Sequence, residues 1–152
     1  MITVKNIIDK KTKVSNTVPP QTLVIDALKI MIDINLSYLI VMDGDKYKGI
    51  FSERDYSRNV ILKGRSSNTT TVQEVMATDL TVVHPAETAE NCMNILSNTK
   101  TRYLISFDAD GNFRGVVTIH DLIRIVLADK QDVFARAVAN YLNYNDDSGK
   151  VI

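Results

Sequence analysis

The chain of 152 residues has little of several features that would point to particular classes of protein. It contains one cysteine, Cys92, which excludes an intramolecular disulfide framework and fits a reducing compartment. Basic and acidic residues number 18 each, so net charge predicts no general attraction to nucleic acid or to anionic lipid. No apolar run approaches the roughly 18 residues of a membrane span. The N-terminus lacks the pattern of a signal peptide. We therefore expect a cytoplasmic protein with no nucleic-acid and no membrane partner.

Patterns typical of enzymes and metal sites are also missing from the sequence. No nucleophile stands in a recognisable pattern with a base, and no glycine-rich loop is placed to cradle phosphates. Cys92 falls in an apolar helical pattern and is predicted to be a small buried hydrophobe. His84 has no second histidine at metal-ligand spacing. The segment 108–112 resembles the opening of a calcium loop but lacks the downstream glutamate, which favours a hairpin turn. We expect a non-catalytic protein with no metal site.

What the sequence does contain is one eight-residue pattern that occurs twice. Residues 49–56 read Gly-Ile-Phe-Ser-Glu-Arg-Asp-Tyr, and residues 115–122 read Gly-Val-Val-Thr-Ile-His-Asp-Leu. The glycine and two apolar residues predict a buried strand. The hydroxyl, with an aspartate three residues later, predicts the capped start of a helix. A single copy is explained by helix capping alone, whereas two copies in matching surroundings require a further explanation.

The two copies belong to a longer internal repeat. Equivalent residues stand 65 apart before the hairpin turn and 66 apart after it, because the second turn carries one more residue. Repetition at a fixed period indicates two copies of one structural unit. The equivalent pairs are Pro20 and Pro85, Asp43 and Asp108, Gly49 and Gly115, and Asp55 and Asp121.

Hydrophobic periodicity gives both repeats the order strand, helix, strand, strand, helix. We expect an α+β fold in which two β-α-β-β-α repeats pack about a pseudo-two-fold axis. The predicted division is a first repeat with an N-terminal helix at 1–67, a second repeat at 68–130, and a C-terminal helix with a loose tail at 131–152. The predicted strands are 14–18, 38–42, 47–51, 80–83, 103–107 and 113–117. The main predicted helices are 4–11, one from residue 22, 55–62, a short one at 72–76, 88–96, 121–127 and a final one carrying Val133 to Leu142.

This arrangement resembles a tandem pair of cystathionine-β-synthase-type domains, the CBS pair or Bateman module. The resemblance covers roughly residues 4–126. It rests on the proline before each long helix, the apolar strand that ends at Asp43 or Asp108, and the doubled Gly-apolar-apolar-Ser/Thr-x-x-Asp pattern. The first copy of the pattern is similar to that of small stand-alone bacterial and plant members.

The resemblance implies an adenine nucleotide, AMP, ADP, ATP or NAD(H), bound in the cleft between the repeats. It places Asp55 and Asp121 on the ribose hydroxyls, and it has Ser52 and Thr118 orient the turn and contact ribose or phosphate. Arg102 is the first candidate for the phosphates, with Arg54 and His120 next. The remaining expected ligand-binding residues, along the base and at the strand entrances, are Thr17, Val18, Pro20, Val82, Val83, Pro85, Tyr38 and Tyr103.

The two predicted pockets differ in sequence. The first-repeat segment 35–38, which corresponds to the segment around Arg102, has no cation. Val82 stands at a position that the family commonly fills with a hydroxyl residue, and Ile40 and Ile105 lie near a frequent proline. We therefore expect two ribose sites of unequal strength.

Two functions remain open from the sequence. One is a nucleotide sensor that acts on a regulated protein partner or on its own assembly. The other is a structural or dimerisation module with vestigial pockets. For either function, family analogy suggests a homodimer built on the helices that follow Asp55 and Asp121.

Overall fold

The structure is a computed structural model that describes residues 1–129 and 132–144. Its helices and strands follow the predicted order except for the strand expected at 80–83, and the α+β class is confirmed. The helices are α1 (Val4–Lys10), α2 (Val24–Ile34), α3 (Glu53–Asp55, continued by a π-helix over Tyr56–Ile61), α4 (Val72–Val75), α5 (Ala89–Thr99), α6 (Ile119–Asp129) and α7 (Asp132–Tyr144). The strands are β1 (Thr17–Val18), β2 (Tyr38–Asp43), β3 (Lys46–Ser52), β4 (Tyr103–Phe107) and β5 (Phe113–Thr118).

The first repeat forms a three-stranded sheet in the order β1-β2-β3. β1 runs parallel to β2, with Thr17 opposite Ile40. β2 and β3 form an antiparallel hairpin in which Tyr38 lies opposite Ser52. β1 is shorter than the predicted strand 14–18, because only its last two residues pair with β2.

The second repeat has the same hairpin, formed by β4 and β5. The predicted strand at 80–83 is reduced to a single parallel bridge between Val82 and Ile105. Two backbone hydrogen bonds flank the bridge, from Val83 N–H to the Ile105 carbonyl at 2.9 Å and from Ile105 N–H to the Thr81 carbonyl at 3.0 Å. The segment thus occupies the place of β1 without the length of a strand.

The chain forms two compact units that do not follow the sequence repeats. The first-repeat unit comprises Lys11–Leu80 and Asp108–Phe113. Among the described residues, the second-repeat unit comprises Met1–Lys10, Thr81–Phe107 and the chain from Arg114 to Tyr144. Helix α1 therefore packs in the second-repeat unit, although its sequence precedes the first repeat. Val4 and Ile7 join the core that contains Leu104 and Leu122. The proposed boundaries after residues 67 and 130, and the pseudo-two-fold axis, stay predictions.

Each unit has its own apolar core. The first-repeat core contains Leu39, Val41 and Phe51 from β2 and β3, with α2 and α4 packed around them through Val24, Met31, Val72 and Val75. The first-repeat unit also contains a stacked aromatic pair. The rings of Tyr47 and Phe113 are stacked with centroids 5.0 Å apart and an interplanar angle of 11°. This aromatic contact joins the short segment 108–113 to the rest of the first-repeat unit.

One predicted helix has a geometry that the sequence did not indicate. The sequence predicts a helix over 55–62, and the chain is helical there, with π geometry from Tyr56 to Ile61. Within this wider winding Val60 is fully buried in the core, and the Asn59 side-chain amide donates to the Val75 carbonyl at 3.2 Å. These two contacts hold residues 59 and 60, and π-turns of this kind often lie at functional sites.

The final helix lies where the sequence places it, and Val138 is buried in the second-repeat core. The side chains of Val133 and Phe134, the break expected near Lys130, and the tail over 145–152 lie outside the described residues. Within residues 1–129 and 132–144, no helix combines the length and the apolar character needed to cross a bilayer.

Candidate functional site

The first candidate group is built at the end of β3, where the strand turns into α3. Ser52 has extended backbone geometry and caps the helix. Its N–H and its hydroxyl both donate to Asp55 Oδ2 at 2.8 Å, and Asp55 N–H donates back to Ser52 Oγ at 3.3 Å. This reciprocal capping box fixes the carboxylate by one oxygen. Within the described residues, the other oxygen, Oδ1, accepts no hydrogen bond.

The second candidate group repeats this geometry at the end of β5. Thr118 N–H donates to Asp121 Oδ2 at 2.9 Å, and Thr118 Oγ1 donates to the same oxygen at 3.2 Å. Asp121 N–H donates to Thr118 Oγ1 at 3.3 Å. The two boxes therefore match bond for bond, which confirms the capping role predicted from the doubled pattern.

The glycine that opens each pattern permits a close approach. A Cβ on Gly49 would lie 2.6 Å from the Ala77 carbonyl oxygen. Ala77 also pairs with β3, because its backbone exchanges two hydrogen bonds with Ile50, at 2.8 and 3.0 Å. A Cβ on Gly115 would lie 3.0 Å from Ile8 Cγ2 of helix α1. In each unit, the glycine makes room for the segment that packs beside the capped strand.

The two aspartates differ in the contacts of Oδ1, the carboxylate oxygen that takes no part in the capping box. Arg124 Nη1 lies 3.4 Å from Asp121 Oδ1 and forms an ion pair with it. Arg58 stands at the equivalent position in the first repeat, but no ion pair joins it to Asp55 among the described residues. The sequence prediction missed Arg124. The signal was present as an Asp-x-x-Arg pattern that occurs in both repeats.

Burial dominates the electrostatics of Asp55. Desolvation raises the pKa of this carboxyl above its ordinary value, while the Ser52 hydrogen bonds and the charges of Arg58 and Arg54 act in the opposite direction. A partly buried carboxylate with spare acceptor capacity gains from a ligand that donates hydrogen bonds to it.

The other predicted site residues divide between the two units. Tyr38 is buried and lies opposite Ser52 in the sheet, and Glu53 N–H donates to the Ser37 carbonyl at 3.0 Å. The first-repeat unit contains Thr17, Val18, Pro20, Tyr38, Ser52, Arg54 and Asp55. The second-repeat unit contains Val82, Val83, Pro85, Arg102, Tyr103, Thr118, His120 and Asp121. Their roles toward a ligand stay predictions.

Val82 and Val83 show opposite exposure. Val83 is buried in the second-repeat core, whereas the Val82 side chain is exposed. In the first repeat, Val18 is likewise buried and Thr17 exposed. The exposed member of each pair has its side chain on the face away from its own core, as expected for alternating residues of a strand.

Two other kinds of site, a reactive thiol and a metal-binding cluster, find no support among residues 1–129 and 132–144. Cys92 is buried in the core, and burial is the main cause that raises the pKa of its thiol to about 11, with a smaller contribution from Glu87. A thiol with so high a pKa is protonated at neutral pH and is a poor nucleophile. Among residues 1–129 and 132–144, no three histidine, cysteine, aspartate or glutamate side chains are grouped as a metal site would need.

Comparison with known proteins places these two groups in a family. The sequence profile of the CBS domain matches twice, over residues 1–61 and 72–128. The chain belongs to the CBS-domain family. The two matches confirm the tandem CBS pair that the doubled pattern resembles.

Individual CBS proteins agree with the family match. The mitochondrial CBS domain-containing protein CBSX3 of Arabidopsis thaliana is 31% identical over 118 residues, which are 74% of this chain and 57% of that protein. The chain therefore spans little more than half the length of that relative. A solved structure of a protein with CBS domains from Burkholderia ambifaria has 36% identity and a TM-score of 0.76, covering 86% of this chain and 97% of that one.

A further solved structure is that of a CBS protein bound to a nucleotide. CBSX2, crystallised in complex with AMP, is 28% identical with a TM-score of 0.65, covering 82% of this chain and 98% of that chain. AMP binding is thus known for a relative that has this fold.

Proposed function

We propose that this CBS pair is a non-catalytic regulatory module that binds an adenine nucleotide through Asp55 and Asp121. The observation that carries the proposal is the geometry of the two capping boxes. Each box orders one aspartate and uses only one of its oxygens. The second oxygen of each carboxylate is the group that would accept hydrogen bonds from the ribose hydroxyls.

The chemistry of a ribose supports this assignment. Its neighbouring 2′ and 3′ hydroxyls donate two hydrogen bonds, and hydrogen bonds to an ionised acceptor are stronger than those between neutral groups. A deoxyribose lacks one donor, so a site of this kind discriminates against it by leaving a carboxylate lone pair unused. The AMP complex of CBSX2 supports an adenine nucleotide as the ligand class. Arg102 is the first residue proposed to bind the phosphates, with Arg54 and His120 next.

The regulatory mechanism follows from population shift. A ligand changes the state of the protein only when it binds one arrangement more tightly than another. We propose that nucleotide binding favours one state of the pair, which a protein partner or a second copy of the chain then recognises. The proposal includes no turnover, so a phosphate-release assay with ATP is expected to remain silent.

Calorimetric titration tests the proposal. AMP, ADP, ATP and NADH are titrated into the wild type and into Asp55→Asn, Asp121→Asn and the double variant. Asparagine keeps one acceptor for the capping box but replaces the remaining oxygen with an amide donor, so the fold is retained while ribose binding is weakened. We expect each single variant to lose one site and the double variant to lose both.

Two controls sharpen this titration. Asp43→Asn removes a charge from the exposed end of β2 without touching either box, and its titration is expected to match that of the wild type. 2′-Deoxy-AMP is expected to bind more weakly than AMP to the wild type. If none of the four nucleotides binds the wild type, or if the double variant binds as well as the wild type, the proposal is wrong.

A second candidate function, self-association with vestigial pockets, is favoured by a separate observation. Ile61 is 56% exposed and Leu62 is 80% exposed at the end of the π-helix, and Leu127, the equivalent of Ile61, is 66% exposed. Branched aliphatic side chains exposed at the same place in both repeats fit contact with a second copy of the chain. Light scattering of Ile61→Asp, Leu127→Asp and the wild type tests this function, with Ile32→Asp as the exposed control. Dimers that nucleotide does not alter would favour this function over sensing.

A further inference from the structure

The Arg124–Asp121 ion pair is one difference between two carboxylates that are held by equivalent capping boxes. Asp121 is 5% exposed, and its Oδ2 is held by Thr118. Arg124 Nη1 contacts the remaining oxygen at 3.4 Å from a side chain that is 75% exposed. The contact is therefore a solvent-facing guanidinium placed over a buried acceptor.

The equivalent arginine of the first repeat does not make this contact. Arg58 follows Asp55 by three residues, as Arg124 follows Asp121. The α-helix α6 brings residues three apart onto neighbouring positions of one face. The helix that follows Asp55 is a π-helix from Tyr56 to Ile61, so Arg58 does not stand in the same α-helical relation to Asp55. The Asp-x-x-Arg pattern thus has two outcomes, one in a π-helix and one in an α-helix.

We propose that Arg124 competes with a ribose for Asp121 Oδ1 and has to be displaced before the ribose binds fully. We call this contact the latch, and we propose that Asp55 has no equivalent. This inference rests on the proposed function of the two aspartates. A carboxylate oxygen has two acceptor sites. Arg124 takes up one of them on Asp121 Oδ1, whereas Asp55 Oδ1 accepts from no described residue. A ribose that donates two hydrogen bonds finds both sites open on Asp55 and has to displace the guanidinium on Asp121.

The long contact distance suits a latch that opens. Hydrogen bonds from nitrogen to oxygen are strongest near 2.9 Å, and a pair at 3.4 Å on an exposed arginine is weakly held. The competition that Arg124 offers is accordingly modest. It is enough to make the second-repeat aspartate the weaker ribose acceptor, which assigns a structural cause to two sites of unequal strength.

The first test measures the affinity for adenosine, which has the ribose but no phosphate that could attract an arginine directly. The background is Asp55→Asn, so that only Asp121 remains as a ribose acceptor. In this background, Arg124→Met is expected to tighten adenosine binding by about two- to fivefold, the range that an exposed ion pair supports. Arg58→Met is the matched control and is expected to leave binding unchanged. Unchanged or weaker binding in Arg124→Met overturns the latch.

The second test needs no ligand at its first step, so it separates the latch from the proposed function. NMR relaxation of the arginine Nε–H groups is measured in the wild type. The Arg124 Nε–H group is expected to be more restricted than that of Arg58, and to become as mobile as Arg58 when AMP is saturating. Equal mobility without ligand, or an Arg124 that stays restricted with AMP bound, overturns the latch. Failure of AMP to bind counts against the proposed function, and the ligand-free comparison still decides whether Arg124 is held.

Discussion

The two repeats have the same capped strand end but different surroundings for it. Ser52 with Asp55 and Thr118 with Asp121 form boxes with equivalent hydrogen bonds. Beyond the box, the first repeat continues as a π-helix and the second as an α-helix. The comparison shows that the local pattern determines the cap, whereas the helix and core around it determine what each aspartate can still accept.

The cores of the repeats also differ at one matched strand position, and here we expect the largest effect. Val41 of β2 is 0% exposed, and its equivalent Ser106 of β4 is also 0% exposed. Ser106 Oγ is buried without a hydrogen-bond partner in the part of the chain that the structure describes. Burying such a hydroxyl costs about 1–3 kcal/mol. Ser106→Ala is therefore expected to stabilise the protein by that order, measured by urea unfolding.

Val41, the first-repeat equivalent of Ser106, allows the reverse substitution. Val41→Thr keeps the shape of the side chain and places a hydroxyl in the first-repeat core, so a loss of about 1–3 kcal/mol is expected. Val41→Ala serves as a control for volume alone. If Ser106→Ala destabilises the protein, the hydroxyl contributes to the fold and the two positions are not equivalent.

The caps are expected to respond alike in both repeats. Ser52→Ala and Thr118→Ala each remove the oxygen that accepts from an aspartate N–H, at a cost of about 1 kcal/mol. Ser52→Thr and Thr118→Ser retain the acceptor and are the controls. Chemical unfolding of the four variants measures the comparison. A large loss in one repeat with none in the other would show that the boxes are equivalent in geometry alone.

The ends of the long helices provide a further contrast. Asn35 ends α2 and Lys100 ends α5, and both have a left-handed backbone with φ of 55°. Asparagine tolerates this conformation better than lysine. We expect Lys100→Asn to stabilise the protein by about 0.5–1 kcal/mol and Asn35→Lys to destabilise it by a similar amount. Thermal unfolding detects both changes, and effects of the same sign would contradict the backbone explanation.

The smallest expected effect is the pH dependence that Asp55 contributes, since its hydrogen bonds and nearby cations partly offset its burial. Its folded pKa is raised above the ordinary value of 3.8, so the folded state binds the proton more readily than the unfolded state. The contribution of Asp55 to stability therefore falls as pH rises from about 3.8 through the raised folded pKa, and is constant above it.

Asp55→Asn removes this dependence. The variant gains stability relative to the wild type as pH rises through the window, and the difference is level above it. Urea midpoints for both proteins between roughly pH 3.5 and 7 measure the change. A difference that does not vary with pH would show that burial leaves this carboxyl unperturbed.

Much of the fold was predictable from the sequence because it depends on local patterns. The hairpins around residues 43–46 and 108–112, the capping box of Thr71 and Glu74, and the long helices are encoded by turn residues, caps and periodicity. The aspartate caps were predictable for the same reason, since Ser52 and Asp55 are three residues apart.

Other features were not predictable, because they depend on residues that are distant in sequence. The strand at 80–83 is reduced to one bridge, and helix α1 packs in the second-repeat unit, outcomes that periodicity does not report. The π-helix after Asp55 was not predicted. Asn59 contacts Val75 there and Val60 packs in the core, and these contacts join residues that are distant in sequence.

The sequence by itself determined the doubled unit, the two capped aspartates and the family, because each is carried by short patterns whose physics is local. Only the tertiary structure decided that Arg124 meets Asp121 while Arg58 does not meet Asp55. The arginines stand at identical spacing, so no sequence pattern separates them. They differ in the folded chain, where the helix after Asp55 is a π-helix and the helix after Asp121 is an α-helix.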